Sequence, residues 1–288
     1  VVQPSTNEDA ARGARVPPPV GWRGLAADGA QMLRFYSRLP MPALPFEQEA
    51  HAPPDFRRAP RMLPVAGLII GLPGAATLAL AASVGLPPTV AASLGVAAAV
   101  LACGAFHEDG LADTFDGLGG GWTRERRLEI MRDSRIGSYG AAALMLALIA
   151  RIGCVAALAE RSGALGAGAA ILAAAASSRP IGLTPLALLA PARPDGASAL
   201  VGRVGMAVYA LSVGIGAAVA LGVGAWGGLP LAGGAAGLAL GLAFALAMTG
   251  WARRAIGGQT GDIAGACQQA AEIAFYLGLL MFLPHDDW

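Results

Sequence analysis

Asp109, Asp113 and Asp116 stand at i, i+4 and i+7, which at about 100° per residue gathers three carboxylates into an arc of about 60° on one helix face. Three like charges held that close repel one another unless a cation sits among them. Ligation by oxygen alone selects a hard ion such as Mg²⁺, commonly held by one or two carboxylates with substrate phosphates completing its shell. The same segment is dense in charge: 12 of the chain's 39 charged side chains (20 basic, 19 acidic) fall within residues 107–137, more than a mere connector needs.

Gly110 and Gly117 flank the aspartates and Gly119, Gly120 and Gly121 follow them, leaving little bulk where a bound diphosphate would lie. A helix C-cap and a flexible turn is the competing reading of the triple glycine. Arg132 and Arg135, at i and i+3, can clamp phosphate oxygens through their planar forks, and Gly137 lets the backbone approach. An anchoring role at the membrane face competes with this, and is preferred for Arg124, Arg126 and Arg127. His107 abuts the carboxylates as a ligand, a base or simply a hydrogen-bonding residue. Two more polar islands interrupt apolar sequence: Gly257 to Asp262, with Glu272 ten residues on, and Ser178-Arg179-Pro180. A carboxylate within a span usually faces the bundle interior or a cavity, so Asp262 and Glu272 are both site candidates. Arg179 has the alternative of snorkelling to the interface.

The elements that must position these residues follow from composition. Of 288 residues 55% are hydrophobic and 14% charged, against about 25% charged in an ordinary soluble domain, and mean hydropathy is +0.57. This excludes disorder, a coiled coil and a nucleic-acid-binding domain. The chain reads as all-α, a polytopic transmembrane helix bundle of about seven spans, near 63–84, 88–106, 138–160, 164–190, 204–226, 229–250 and 263–283. The fourth is overlong and interrupted by Ser178-Arg179-Pro180, as a broken or re-entrant segment would be. The many glycines suit close helix packing. Residues 1–20 have the composition of a disordered tail, and no cleavable signal is expected, since Arg12 and Arg15 lead into prolines rather than an apolar run. Residues 21–62 comprise one amphipathic helix over Trp22 to Tyr36, lying on the membrane or capping the bundle, and a proline-rich lead-in. Residues 63–288 form a transmembrane catalytic domain with the 107–137 loop as its active-site loop. Cys103, Cys154 and Cys267 lack zinc or redox spacing. All 20 basic residues are Arg, and 18 of them fall on the face that seven crossings place on one side, which should be the cytoplasm.

Four segments in this order, Phe35 to Pro42, Phe106 to Gly117, Met131 to Gly137 and Gly258 to Asp262, resemble adenosylcobinamide-GDP ribazoletransferase, also called cobalamin 5′-phosphate synthase, over about residues 22–283. The aspartate segment coupled to Arg132-Asp133-Ser134-Arg135-Ile136-Gly137 is the specific part. The resemblance implies assembly of the nucleotide loop of cobalamin in a bacterial inner membrane. A ribose hydroxyl of α-ribazole or its 5′-phosphate attacks the phosphorus nearest cobinamide in adenosylcobinamide-GDP, and GMP leaves, with Mg²⁺ required. It implies Asp109, Asp113 and Asp116 as metal ligands, Arg132, Arg135, Gly137 and Arg38 as substrate-binding residues, and His107, Glu108 or Asp262 as the proton acceptor. Two other classes compete. A CDP-alcohol phosphotransferase would have Arg after Ala112, where Asp113 stands, and two later aspartates four apart, imitated only by Glu125 and Glu129. An ion-coupled transporter would use Asp262, Glu272 and Arg179 at mid-membrane.

Overall fold

The computed structural model describes residues 21–47, 49–194 and 202–284; the expected tail 1–20 lies outside them. Among the described residues there is no strand, only one isolated bridge between Pro191 and Gln259. Helix α1 spans Gly21–Tyr36, and a 3₁₀ turn at Ala59–Met62 leads into α2, Leu63–Ser83. Then follow α3 (Pro88–Cys103), α4 (Phe106–Gly120), α5 (Arg124–Ile130), α6 (Ser138–Gly182), α7 (Thr184–Leu188), α8 (Met206–Trp226), α9 (Leu231–Ile256) and α10 (Gly261–Phe282). Residues 107–137, read as a loop, are therefore mostly helical.

The 45 residues of α6 would run about 67 Å if straight, twice what a bilayer core holds. They break at Gly163, whose φ of 71° and ψ of 176° are open only to glycine. Before the break, Arg151 meets Glu272 and Arg161 reaches the Leu280 carbonyl, so the first half runs with α10. After it, Ser178 bonds Gln268 and Gly182 packs on Gln268 and Ala264, so the second half runs against α10. The helix is thus a hairpin, and its break falls between the third and fourth expected spans rather than within the fourth. By length and apolarity five helices can cross a membrane, or six if the bent pair α3 and α4 counts as one. Among the described residues, counting the α6 hairpin as two passages brings the number of candidate spans close to the seven expected.

The bent pair sets the site. Gly104 (φ 63°) and Ala105 (φ 55°) are both left-handed, and α4 leaves α3 at 87°. Helix α4 therefore packs across α6 and α10 instead of continuing α3. Small residues allow the close crossings elsewhere: at Gly67 on α2 a Cβ would overlap the Ala175 carbonyl of α6, and Gly237 on α9 touches the backbone of Phe275 on α10. Helix α1 buries Ala27, Ala30, Met32, Leu33 and Tyr36 against the 3₁₀ turn and α2, while Trp22 and Leu25 stay exposed. Its buried Asp28 is held by Arg58 and Arg61 at 2.7 and 2.9 Å.

Candidate active site

Helix α4 presents two polar faces. Outward, Asp109 is exposed and Asp113 half-buried. They lie beside Asp262 because α4 and α10 cross at glycines: a Cβ on Gly110 would stand 3.0 Å from the Asp262 carbonyl, and one on Gly265 3.3 Å from Gly110 Cα. Gly110 is therefore filled by a neighbouring helix and not left open for a diphosphate, and Gly117 likewise receives Met131 and Arg127. Burial first, then the charges of Asp109, Asp262 and Asp116, push the Asp113 carboxyl up to about 7. Arg193, which the sequence reading passed over, is the cation of this cluster, 3.6 Å from Asp262 Oδ2. That oxygen accepts no hydrogen bond.

Asp116 shares the helix face but not the task expected of it. Its Oδ2 accepts from Gly137 N at 2.7 Å and its Oδ1 from Gly140 N at 2.8 Å, so the carboxylate caps the start of α6, where partial positive charge favours it. A Cβ at Gly137 or Gly140 would overlap that carboxylate, which gives Gly137 a packing reason in place of the expected substrate contact. Among the described residues no three His, Cys, Asp or Glu side chains converge closely enough to hold one ion. The aspartate triad is a shared face, with Asp116 turned to architecture.

Inward, Glu108 is buried and pairs with Arg151 at 2.6 Å, and Arg151 also meets Glu272 at 2.9 Å. Gln269 donates to Glu108, Gln268 donates to Glu272 and Ser178, and Tyr276 donates to Glu272. Arg179 completes two positive and two negative groups, donating to the Ala175 carbonyl and to Cys103 Sγ. Glu108, offered as a proton acceptor, thus has one oxygen occupied by a guanidinium. Arg179 is buried at 6% exposure rather than snorkelling. His107 is buried too, stacked on Tyr36 at 5.7 Å, and burial, then Arg179 and Arg151, hold its pKa well below the ordinary value. It lines a cavity with Phe35, Tyr36, Phe56 and Phe106.

The arginines divide differently from expectation. Arg124 donates to Ile256 and Ala192 carbonyls at 2.8 and 2.7 Å, and Arg127 to Ala255 and Gly121 carbonyls, both at 2.9 Å. They cap the C-terminus of α9, so the anchoring role preferred for them is replaced by a structural one. Arg135 has an 87% exposed side chain forked onto Asp133, which it holds down at about 2. The segment bearing it and Arg132 is fastened to α4 by the Asp116 bonds. Arg38 lays its side chain over Gly104 at the bend, and its N–H donates to the Ala102 carbonyl at 2.7 Å, which sets it near the start of α4.

An acidic cluster on one end of a membrane bundle, with arginines on the adjoining segments, suits anionic phosphate chemistry but does not name it. Residues 29–280 match the family described as cobalamin-5-phosphate synthase. This chain belongs to the cobalamin-5-phosphate synthase family. A relative from Azorhizobium caulinodans named adenosylcobinamide-GDP ribazoletransferase is 50% identical over 265 residues, 91% of this chain and 98% of the relative. Relatives of the same name from Xanthobacter autotrophicus and Mesorhizobium japonicum are 47% and 44% identical, covering 90% and 88% of this chain and 97% and 93% of their own lengths. No solved structure matches the chain. Membership in this family sets aside the CDP-alcohol and transporter alternatives; Glu272 and Arg179, which a transporter would use as a relay, are ion-pair and cavity-wall residues of a closed cluster.

Proposed function

We propose that this chain transfers the cobinamide-phosphate group of adenosylcobinamide-GDP to a ribose hydroxyl of α-ribazole or its 5′-phosphate, with release of GMP. The observation that carries the chemistry is the crossing of α4 and α10, which puts Asp109 and Asp113 against Asp262. A divalent cation suits this place: Asp113 is destabilised by its acidic neighbours and Asp262 Oδ2 accepts no hydrogen bond. Two of Asp109, Asp113 and Asp262 would hold Mg²⁺, with substrate phosphates completing its shell; Asp262 takes the place first given to Asp116. When bound, the ion would spread the charge of the diphosphate.

The chain's own residues do the rest. Arg132, Arg135 and Arg38 bind the phosphates and stabilise charge on the departing GMP. The attacking hydroxyl gives up its proton as its oxygen bonds phosphorus and the bond to GMP breaks. His107, which lines the approach to the carboxylates, is the acceptor that remains once Glu108 is paired with Arg151 and Asp262 assigned to the cation. The buried cluster on the inner face of α4 fixes the helix so that its outer face keeps its register.

The carboxylate face looks into the cytoplasm from a bacterial inner membrane, a reading supported by 18 of 20 arginines on that side. The expected outer end, His285 to Trp288, lies outside the described residues. Thiol reagent added outside should label Ser134→Cys only after permeabilisation, against a low background because the three native cysteines are buried. Labelling in intact cells would reverse the orientation. For the activity, purified protein given adenosylcobinamide-GDP and α-ribazole 5′-phosphate should release GMP in step with the corrinoid product. Absence of GMP release at any Mg²⁺ concentration would overturn the assignment.

A further inference from the structure

Between α1, α4, α10 and the α6–α7 junction lies a cavity with about 490 Å³ of empty space, counted to its open mouth. Phe35, Tyr36, Phe56 and Phe106 form its sides, ring against ring at 4.9–5.8 Å, and Leu183 and Leu186 add aliphatic surface. Its polar groups are few. Gln268 Nε2 already donates to Ser178 and Glu272, and its Oε1 accepts from Gln269. Arg179, which lines the cavity and is nine-tenths buried, has Nε without any partner. A buried donor left unmade is costly, so the cavity asks for a flat apolar body bearing one acceptor.

Its position is as informative as its lining. Gly261, Ala264 and Gly265 of the wall flank Asp262 on α10, and Phe106 and His107 precede Asp109 on α4. Whatever fills the cavity hands its remainder to the carboxylate cluster past His107. Two planar bases belong to the reaction proposed above. Guanine carries an amino group, a carbonyl and ring nitrogens that would each need a partner in this wall. The dimethylbenzimidazole of ribazole carries two methyls on its far edge and a single free ring nitrogen, an acceptor.

We infer that this aromatic cavity seats the benzimidazole base of the ribazole substrate, with the unpartnered Arg179 Nε as donor to its ring nitrogen, so that the ribose projects toward His107 and the carboxylates. The inference rests on the transferase reading and adds a subsite to it. Ala264→Met, which fills the cavity from α10, should raise KM for α-ribazole 5′-phosphate tenfold or more and leave KM for adenosylcobinamide-GDP within twofold. Phe35→Leu should move the same KM in the same direction if Ala264→Met does not fold. With wild-type protein, free dimethylbenzimidazole should inhibit competitively against ribazole and not against the corrinoid substrate. A rise confined to the corrinoid KM, or competition with the corrinoid alone, would overturn the subsite by giving the cavity to the other substrate. Unchanged constants in both folded variants would also overturn it. Wild-type protein that releases no GMP would instead sink the transferase reading, so the two failures are told apart.

Discussion

Glu108 and Asp109 are neighbours in sequence and belong to opposite regions of the molecule. Glu108 enters a buried cluster in which two guanidiniums, Arg151 and Arg179, balance two carboxylates, and glutamines and Tyr276 supply further hydrogen bonds. Asp109 joins an open cluster in which three carboxylates, with Asp113 and Asp262, stand beside Arg193. The first arrangement is neutral and buried, and its ion pairs hold α4, α6 and α10 in register. The second is charged and incomplete, and it is the one that a cation and a phosphate would complete. Count of charge, rather than kind of residue, separates the architectural carboxylate from the chemical one.

The largest effect should come from the closed side. Arg151→Met leaves Glu108 and Glu272 buried without their guanidinium, at a cost of about 3–5 kcal/mol, and should abolish the folded protein in thermal unfolding of the detergent-solubilised chain. A folded and active Arg151→Met would show that the inner cluster is not what fixes the helices. On the open side, Asp113→Asn should lower GMP release by about two orders of magnitude with the melting temperature unmoved, and Asp113→Glu should recover little, since Mg²⁺ tolerates misplaced ligands poorly. Full turnover by Asp113→Asn at wild-type Mg²⁺ dependence would remove the metal from the account. Gly140→Ala drives a methyl into the Asp116 carboxylate and should cost about 1–3 kcal/mol of stability, seen as a lowered melting temperature; an unaltered one would free Asp116 for another role. The pH dependence sharpens the contrast further. With its pKa at about 7, Asp113 is protonated below neutrality, and a cation must displace that proton. The Mg²⁺ concentration for half-maximal rate should therefore climb as pH falls from 8 to 6, and a flat profile would mean that Asp113 is not a ligand. Smallest is Arg135→Lys, which keeps charge but loses the fork and should raise KM for the corrinoid substrate several-fold, with a smaller fall in kcat.

How much of this was legible in the sequence depended on the distance over which each residue's partner lies. The spans were legible because each is its own run of apolar residues, and the turn within α6 fell between the runs 138–160 and 164–190. The outer face of α4 was legible because Asp109 and Asp113 are one helical turn apart. Spacing places Asp116 on that face but cannot show that Gly137 N and Gly140 N donate to both of its oxygens. Gly110 and Gly117 were read as room for a ligand; a missing side chain looks the same whether a ligand or another helix fills the space. Arg151 stood out only as an exception to the charge asymmetry, since Glu108 and Glu272 are brought to it solely by the packing of α4 and α10. Arg124 and Arg127 looked like membrane anchors because their acceptors are backbone carbonyls at the end of α9, which no residue type marks.

The hairpin in α6 also governs how the chain can enter a bilayer. Only Gly163 joins the two halves, so there is no linker in which one half could wait in water while the other settles. The two apolar segments therefore cross as one hairpin, with the charged neighbours Glu160 and Arg161 at its tip. Neither half can be inverted alone. Any change of charge that reversed the first would have to reverse the second, so Arg151 and Arg179 stay on facing halves of one hairpin.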